Sequence, residues 1–142
     1  MASSNAEELR SFIDTHLTDI AAFIEAVEQG SVDLLDPDIV YEDANLPDHI
    51  GEVYRGYDGL VRAAGRWLEA SDFISLELRE IIGSGDNIVS IHHVVARSRH
   101  SGIENGAPLA YVWIFRNGKV VHWQSYRDRD EALDAAGRAV TT

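Results

Sequence analysis

The hydrophobic pattern of this 142-residue chain changes period once, near residue 72, and that change limits the folds open to it. Before it, Leu9, Phe12, Ile13, Leu17, Ile20, Phe23, Ile24 and Val27 recur at three- and four-residue steps, the spacing of one helical stripe. After it, apolar residues alternate. In FISLELREII, Ile74, Leu76 and Leu78 fall on one face and Ser75, Glu77 and Arg79 on the other. Helices followed by a run of strands argue for an α+β domain. The length suits one such domain and is too short for two cores.

Local signals divide the chain further. Ser4 with Glu7 has the capping-box spacing, Gly30 supplies a stop, and the β-branched Thr15–Thr18 stretch leaves room for a break. SVDLLD (31–36) reads as a short turn of helix ended at Pro37, and IVYED (39–43) as a short strand. ANLPDHIGEVYRG then reads as irregular, with Pro47, Gly51 and Gly56 as breakers. Asp58 to Ala70 is a third helix, with Leu60, Val61, Ala64, Trp67 and Leu68 on one side. GSGDN (83–87) is a turn, Ile88–Arg99 and Ala107–Arg116 are β-rich, and Asn117-Gly118 is a two-residue hairpin leading to Lys119–Arg127. Asp128 with Glu131 caps a last short helix ended by Gly137. The expected product is a curved sheet of four long antiparallel strands with helices across its concave side, enclosing one apolar pocket.

Composition excludes several functions. The formal net charge is -12. Fourteen acids against two bases up to Asp58 carry all of it, since ten acids face ten bases afterwards. Such an acidic half repels phosphate backbones and anionic lipid, which argues against nucleic-acid and membrane partners. There is no cysteine, so disulfides, thiol nucleophiles and thiolate-bound metals are out. MASSNAEELR has neither a basic nor an apolar leader region, and no apolar run approaches the ~20 residues of a membrane span. The expected location is therefore cytoplasmic. No Gly-rich phosphate loop or G-x-S-x-G elbow occurs. His92 and His93 are adjacent on a strand, point to opposite faces and cannot chelate one metal together.

Three segments carry a resemblance: AAFIEAVEQGSVDLLDPDIVYED, VYRGYDGL and AYVWIFRNGKVVHWQSYRDRDEAL. Together they resemble the SnoaL-like, ketosteroid-isomerase-like branch of the nuclear transport factor 2 superfamily, over most of the chain from about Glu7 to Gly137. The resemblance implies a cone: a bent antiparallel sheet around a long N-terminal helix, open at one end to an apolar pocket. It also implies a homodimer paired through the outer sheet face. It does not decide activity, because the superfamily includes isomerases, polyketide cyclases, dehydratases, epoxide hydrolases and binders that catalyse nothing.

Ile39, Tyr41 and Asp43 project to one side of their strand. If that side is the pocket, Asp43 is a carboxylate beside an aromatic ring in apolar surroundings, where burial suits a carboxyl group to acid/base work near neutral pH. By resemblance Asp43 matches the proton-shuttling aspartate of ketosteroid isomerase, itself a standard case of carboxyl tuning. It equally fits a turn cap before a proline-containing loop. Two departures follow from the same resemblance. Phe23 stands where that enzyme's helix carries its oxyanion-donating tyrosine, and Tyr111 stands where a protonated acid donates. Tyr111 is then the donor to a developing enolate, or a plain wall residue.

Alternation along Ile88, Ser90, His92, Val94 and Ala96 places His92, rather than His93, on the inner row, as a relay, a donor or a satisfied core group. Trp113 shares the face of Tyr111, and Trp123 that of Ser125, so Phe23, Tyr41, Trp113, Trp123 and Ser125 are the expected substrate-binding set. Trp67 reads as packing, and Asn45, His49 and Tyr54 as candidates for the pocket mouth. YEDANLP and WQSY echo the epoxide-hydrolase branch, but Ser125 replaces the acid that branch requires. The expected activity is proton transfer next to a carbonyl by Asp43, without cofactor or metal, on a small hydrophobic substrate; Tyr111 or His92 steadies the oxygen. The alternatives are a binding module for an apolar ligand and a structural homodimer.

Overall fold

A computed structural model of the chain describes residues 4–43, 52–83 and 85–141. The N-terminal stripe folds as two helices, α1 (Asn5–His16) and α2 (Ile20–Glu28), with the break at the foreseen place. Ser4 and Glu7 form the capping box: Ser4 Oγ accepts from the Glu7 amide at 3.1 Å, and the Glu7 carboxylate accepts from the Ser4 amide at 3.3 Å. Asp19 restarts the helix by accepting from the amides of Ala21 and Ala22 at 3.0 and 3.3 Å. Leu9, Phe12, Ile13, Leu17, Phe23 and Val27 all enter one core, so the break bends the chain without turning its apolar stripe away.

SVDLLD is a tight turn, not helix. The Leu35 amide closes on the Val32 carbonyl, and strand β1 already runs over Leu35–Asp43. Pro37 is tolerated inside β1 because it lies in the register shift between Leu35 and Val40, where a missing N–H breaks no ladder bond. EVYR, expected to be irregular, is strand β2 (Glu52–Arg55), paired antiparallel with β1. Gly56 then turns the chain into helix α3 (Gly56–Ala70). Its φ is +68°, and a Cβ there would lie 3.3 Å from the Pro37 carbonyl.

The meander follows as β3 (Ser71–Ile82), β4 (Asn87–Ser98), β5 (Glu104–Arg116) and β6 (Lys119–Tyr126). Asn117 and Gly118 have φ of 53° and 79°, the left-handed pair that a two-residue hairpin needs. The last helix, α4 (Arg129–Thr141), does not stop at Gly137, which lacks the positive φ of a helix-ending glycine.

The sheet has six strands in the order β2-β1-β6-β5-β4-β3 and is strongly curled. Every pairing is antiparallel except β1 with β6, which is parallel. Its concave side packs on α1, α2 and α3, giving the expected α+β cone. On the convex side α4 lays Ala132 and Ala135 over Val89, Ala110 and Val112. The Arg129–Glu80 ion pair (2.7 Å) and a bond from Asn87 Nδ2 to the Ala136 carbonyl (3.4 Å) hold it there. No described helix is long and apolar enough to cross a membrane.

Candidate active site

Strand alternation sorts the candidate residues. Tyr41 and Asp43 on β1, Ser90 and His92 on β4, Tyr111 and Trp113 on β5, and Trp123 and Ser125 on β6 all project to the concave side and are buried. His93 points outward and lies over Gly106, with Nε2 2.7 Å from where a Cβ would stand.

The helices decide which of these reach open space. An apolar hollow lies between the sheet and α2 and α3, with about 530 Å³ of atom-free space counting its mouth and about 50 Å³ open to the centre of a water-sized sphere. Phe23, Leu60, Trp67, Tyr41, Tyr111 and Trp123 are prominent in its wall, along with small alanines of α3. Trp67 is therefore a wall residue rather than simple packing. Its place on the apolar stripe of α3 was the available signal, but the depth of that helix against the sheet was not legible.

Trp113 does not reach the hollow. It is fully buried behind Trp123, stacked on it with ring centroids 4.4 Å apart and planes 22° apart, with Phe12 and Tyr111 at its edges. The wall residue Trp123 therefore has a rigid backing. The expectation that Trp113 lines the pocket is corrected to this supporting place. Tyr54 is buried as well. Its hydroxyl accepts from Arg66 at 2.8 Å and its ring lies 6.0 Å from that of Tyr41, so it braces the wall from β2. Asn45 and His49 fall outside the described residues.

Asp43 and Ser125 form a buried polar pair. They are partners in the parallel β1–β6 register, and Ser125 Oγ donates to Asp43 Oδ1 at 3.0 Å. Both Tyr41 and Tyr111 feel the Asp43 charge. Burial, reinforced by that charge, pushes both phenols well above the ordinary tyrosine range, so each stays protonated. Neither Asp43 nor Ser125 is in the described wall of the hollow. Asp43 follows Tyr41 on the same strand face, about 7 Å further along the strand.

His92 belongs to a second cluster. Trp113 Nε1 donates to Ser90 Oγ at 2.8 Å, and Ser90 Oγ lies 2.7 Å from His92 Nε2. The His92 ring packs 5.0 Å from that of Tyr111, behind the wall rather than in it. Its Nδ1 is buried without a partner among the described residues. Burial lowers its pKa to about 4, so the ring is neutral at pH 7. The unfolded chain takes up this proton near pH 6.5, whereas the folded protein resists until about pH 4. Stability held above pH 6.5 is therefore lost as pH falls through that window, by about 3 kcal/mol in all. Urea midpoints between pH 7 and 4 should fall more steeply in the native protein than in His92→Asn; parallel curves would contradict this. Among the described residues, no group of three His, Asp or Glu side chains could hold a metal ion.

The curled α+β cone with a phenol- and indole-walled hollow has the nuclear transport factor 2-like fold. Residues 20–123 match the SnoaL-like domain family, and the chain belongs to that family. No curated relative matches the sequence. Many solved structures share the fold, and three show the degree of likeness to this chain. A nuclear transport factor 2-like protein from Burkholderia thailandensis is 22% identical, covers 96% of this chain and 98% of its own, and has a TM-score of 0.71. TerC, co-crystallised with polyporic acid, is 18% identical over 95% of this chain and 99% of its own, with a TM-score of 0.65. A protein of ketosteroid isomerase-like fold from Catenulispora acidiphila, in complex with trimethylamine, is 16% identical over 84% of this chain and 83% of its own, with a TM-score of 0.60.

Proposed function

We propose that this SnoaL-like protein binds a small, mostly apolar carbonyl compound in the hollow and moves a proton at the carbon next to the carbonyl, with Asp43 as the base. The observation that carries the reading is a buried carboxylate, held by Ser125, two residues along the same strand face from the wall residue Tyr41. A ligand filling the hollow and extending past Tyr41 meets that carboxylate. As the proton leaves carbon, charge develops on the carbonyl oxygen, and a neutral phenol is the group suited to steady it. Tyr111 has that role. His92 acts on it from behind through ring packing and does not touch the substrate. The reaction needs neither cofactor nor metal. Isomerisation, aldol-type cyclisation and dehydration all begin with this step, and the ligand-bearing relatives support a small-molecule site.

The test is hydrogen–deuterium exchange at the activated carbon of 2-tetralone in D2O, followed by proton NMR. The protein should accelerate exchange above the buffer rate. Binding without acceleration would make the hollow a binding module instead.

The homodimer has a narrower basis than family likeness suggests, because α4 occupies part of the convex face. A second copy would pair on the stretch of β3, β4 and β5 beyond the helix, where His93, Val95 and Pro108 stand. Light scattering at micromolar concentration should give twice the chain mass; a monomer would refute the pairing. The cytoplasm is the proposed location.

A further inference from the structure

The hollow is narrow. It has about 530 Å³ of atom-free space counting its mouth, but only about 50 Å³ open to the centre of a water-sized sphere. A ketone entering it must displace part of the wall. Among the described wall residues, Ile20 and Trp67 are half-buried and the rest are buried, so these two mark the mouth. The Ile20 side is fixed. Asp19 caps α2 through the amides of Ala21 and Ala22, and its backbone bridges to Ser75 of β3. Movement must therefore come from the Trp67 side.

Two features single out the last turn of α3. The first is Gly65, inside the helix and two residues before Trp67. A Cβ added there would meet nothing within 4 Å, whereas one at Gly59 would lie 2.9 Å from the Tyr54 backbone. Close packing explains Gly59 and does not explain Gly65, and a glycine inside a helix loosens it relative to alanine. The second is Arg99. The last turn of α3 has no basic side chain of its own. Arg99, just beyond β4, serves instead: its Nε donates to the Leu68 carbonyl at 2.7 Å and its amide to the Ala70 carbonyl at 3.1 Å. Both are carbonyls that a helix end leaves without an internal partner. On either side the chain is held. Arg66 donates to the Tyr54 hydroxyl at 2.8 Å, and Ser71 pairs with Ser98 in the sheet. The length left to move is residues 67–70.

We propose that Trp67 is the gate of the hollow, with Gly65 as its pivot and Arg99 as the latch that keeps the last turn of α3 wound and the gate shut. Loosening of that turn swings the indole aside and admits a ligand. This rests on the hollow being the ligand site, as proposed above, and adds how a ligand reaches it. The turn is wound both before and after binding, so the gate acts on entry and exit alike. It sets the rates and leaves the affinity unchanged.

Stopped-flow mixing with 2-tetralone, followed by tryptophan fluorescence, gives the association and dissociation rates. Gly65→Ala stiffens the pivot and should slow both by about fivefold, the rate equivalent of glycine against alanine inside a helix. Arg99→Ala removes the Nε donor and should speed both by about threefold. Kd should stay within about twofold of the native value in each variant. Hydrogen exchange without ligand, at the amides of residues 67–71, should slow in Gly65→Ala and quicken in Arg99→Ala while the first turns of α3 stay unchanged. That pattern separates a local effect on the turn from a change in overall stability. Native rates of binding and release in both variants would overturn the gate and leave the site reading intact. So would a Kd that moves as far as the rates, which would make this turn part of ligand recognition. Failure of 2-tetralone to bind the native protein would overturn the site reading and this inference with it.

Discussion

Asp43→Asn should lower turnover on an active carbonyl substrate by about 10²–10⁴-fold, the range spanned by a positioned general base. The affinity for a ketone should stay within about tenfold, or about 1.4 kcal/mol. The substitution keeps the shape at the end of β1 and keeps an oxygen for the Ser125 hydroxyl, now 3.0 Å from Oδ1. It removes only the capacity to take a proton. A base acts in the transition state, whereas apolar walls hold ground state and transition state alike, so rate and affinity should separate. Parallel loss of both would assign Asp43 to binding alone. An unchanged rate would remove it from the chemistry.

Trp113→Ala should cost about 3–5 kcal/mol of folding stability, read from urea denaturation. Trp113 is wholly buried, and its removal opens a void between Trp123, Phe12 and Tyr111. It also takes the indole donor from Ser90, leaving the serine to His92 alone. Domains are stable by roughly 5–15 kcal/mol, so the loss reaches the scale of the whole. Trp113→Phe, which keeps a ring but not the N–H, should cost about half as much. A variant as stable as the native protein would mean that the hollow, rather than the tryptophan, tolerates repacking.

The periodicities that made the elements readable also made the inner row readable. A period of two puts Tyr41 with Asp43, Ser90 with His92 and Trp123 with Ser125 whatever surrounds them. The helix break was legible in the β-branched Thr15–Thr18 stretch, whereas the restart at Asp19 was read only from the structure. What was not legible depends on distant partners. EVYR is four residues between glycines, and only β1 makes it a strand. Pro37 argued for an ending, yet a register shift accommodates it. Trp113 and Trp123 have the same alternation and aromatic character, but one faces the hollow and the other backs it, because the depth of α2 and α3 is set by the packed core. The family resemblance supplied the cone and singled out Asp43. It did not indicate that Ser125 would hold that carboxylate.

The single parallel seam joins residues that are far apart in the chain. Asp43 and Ser125 are separated by 82 positions, and their strands touch only once the whole meander lies between them. A nascent polypeptide emerging from the ribosome can form its helices early, but the Asp43–Ser125 pair cannot exist until the last strand has docked. The pair therefore arrives together with closure of the cone, and a fragment ending before Lys119 would keep the carboxylate with no serine to hold it.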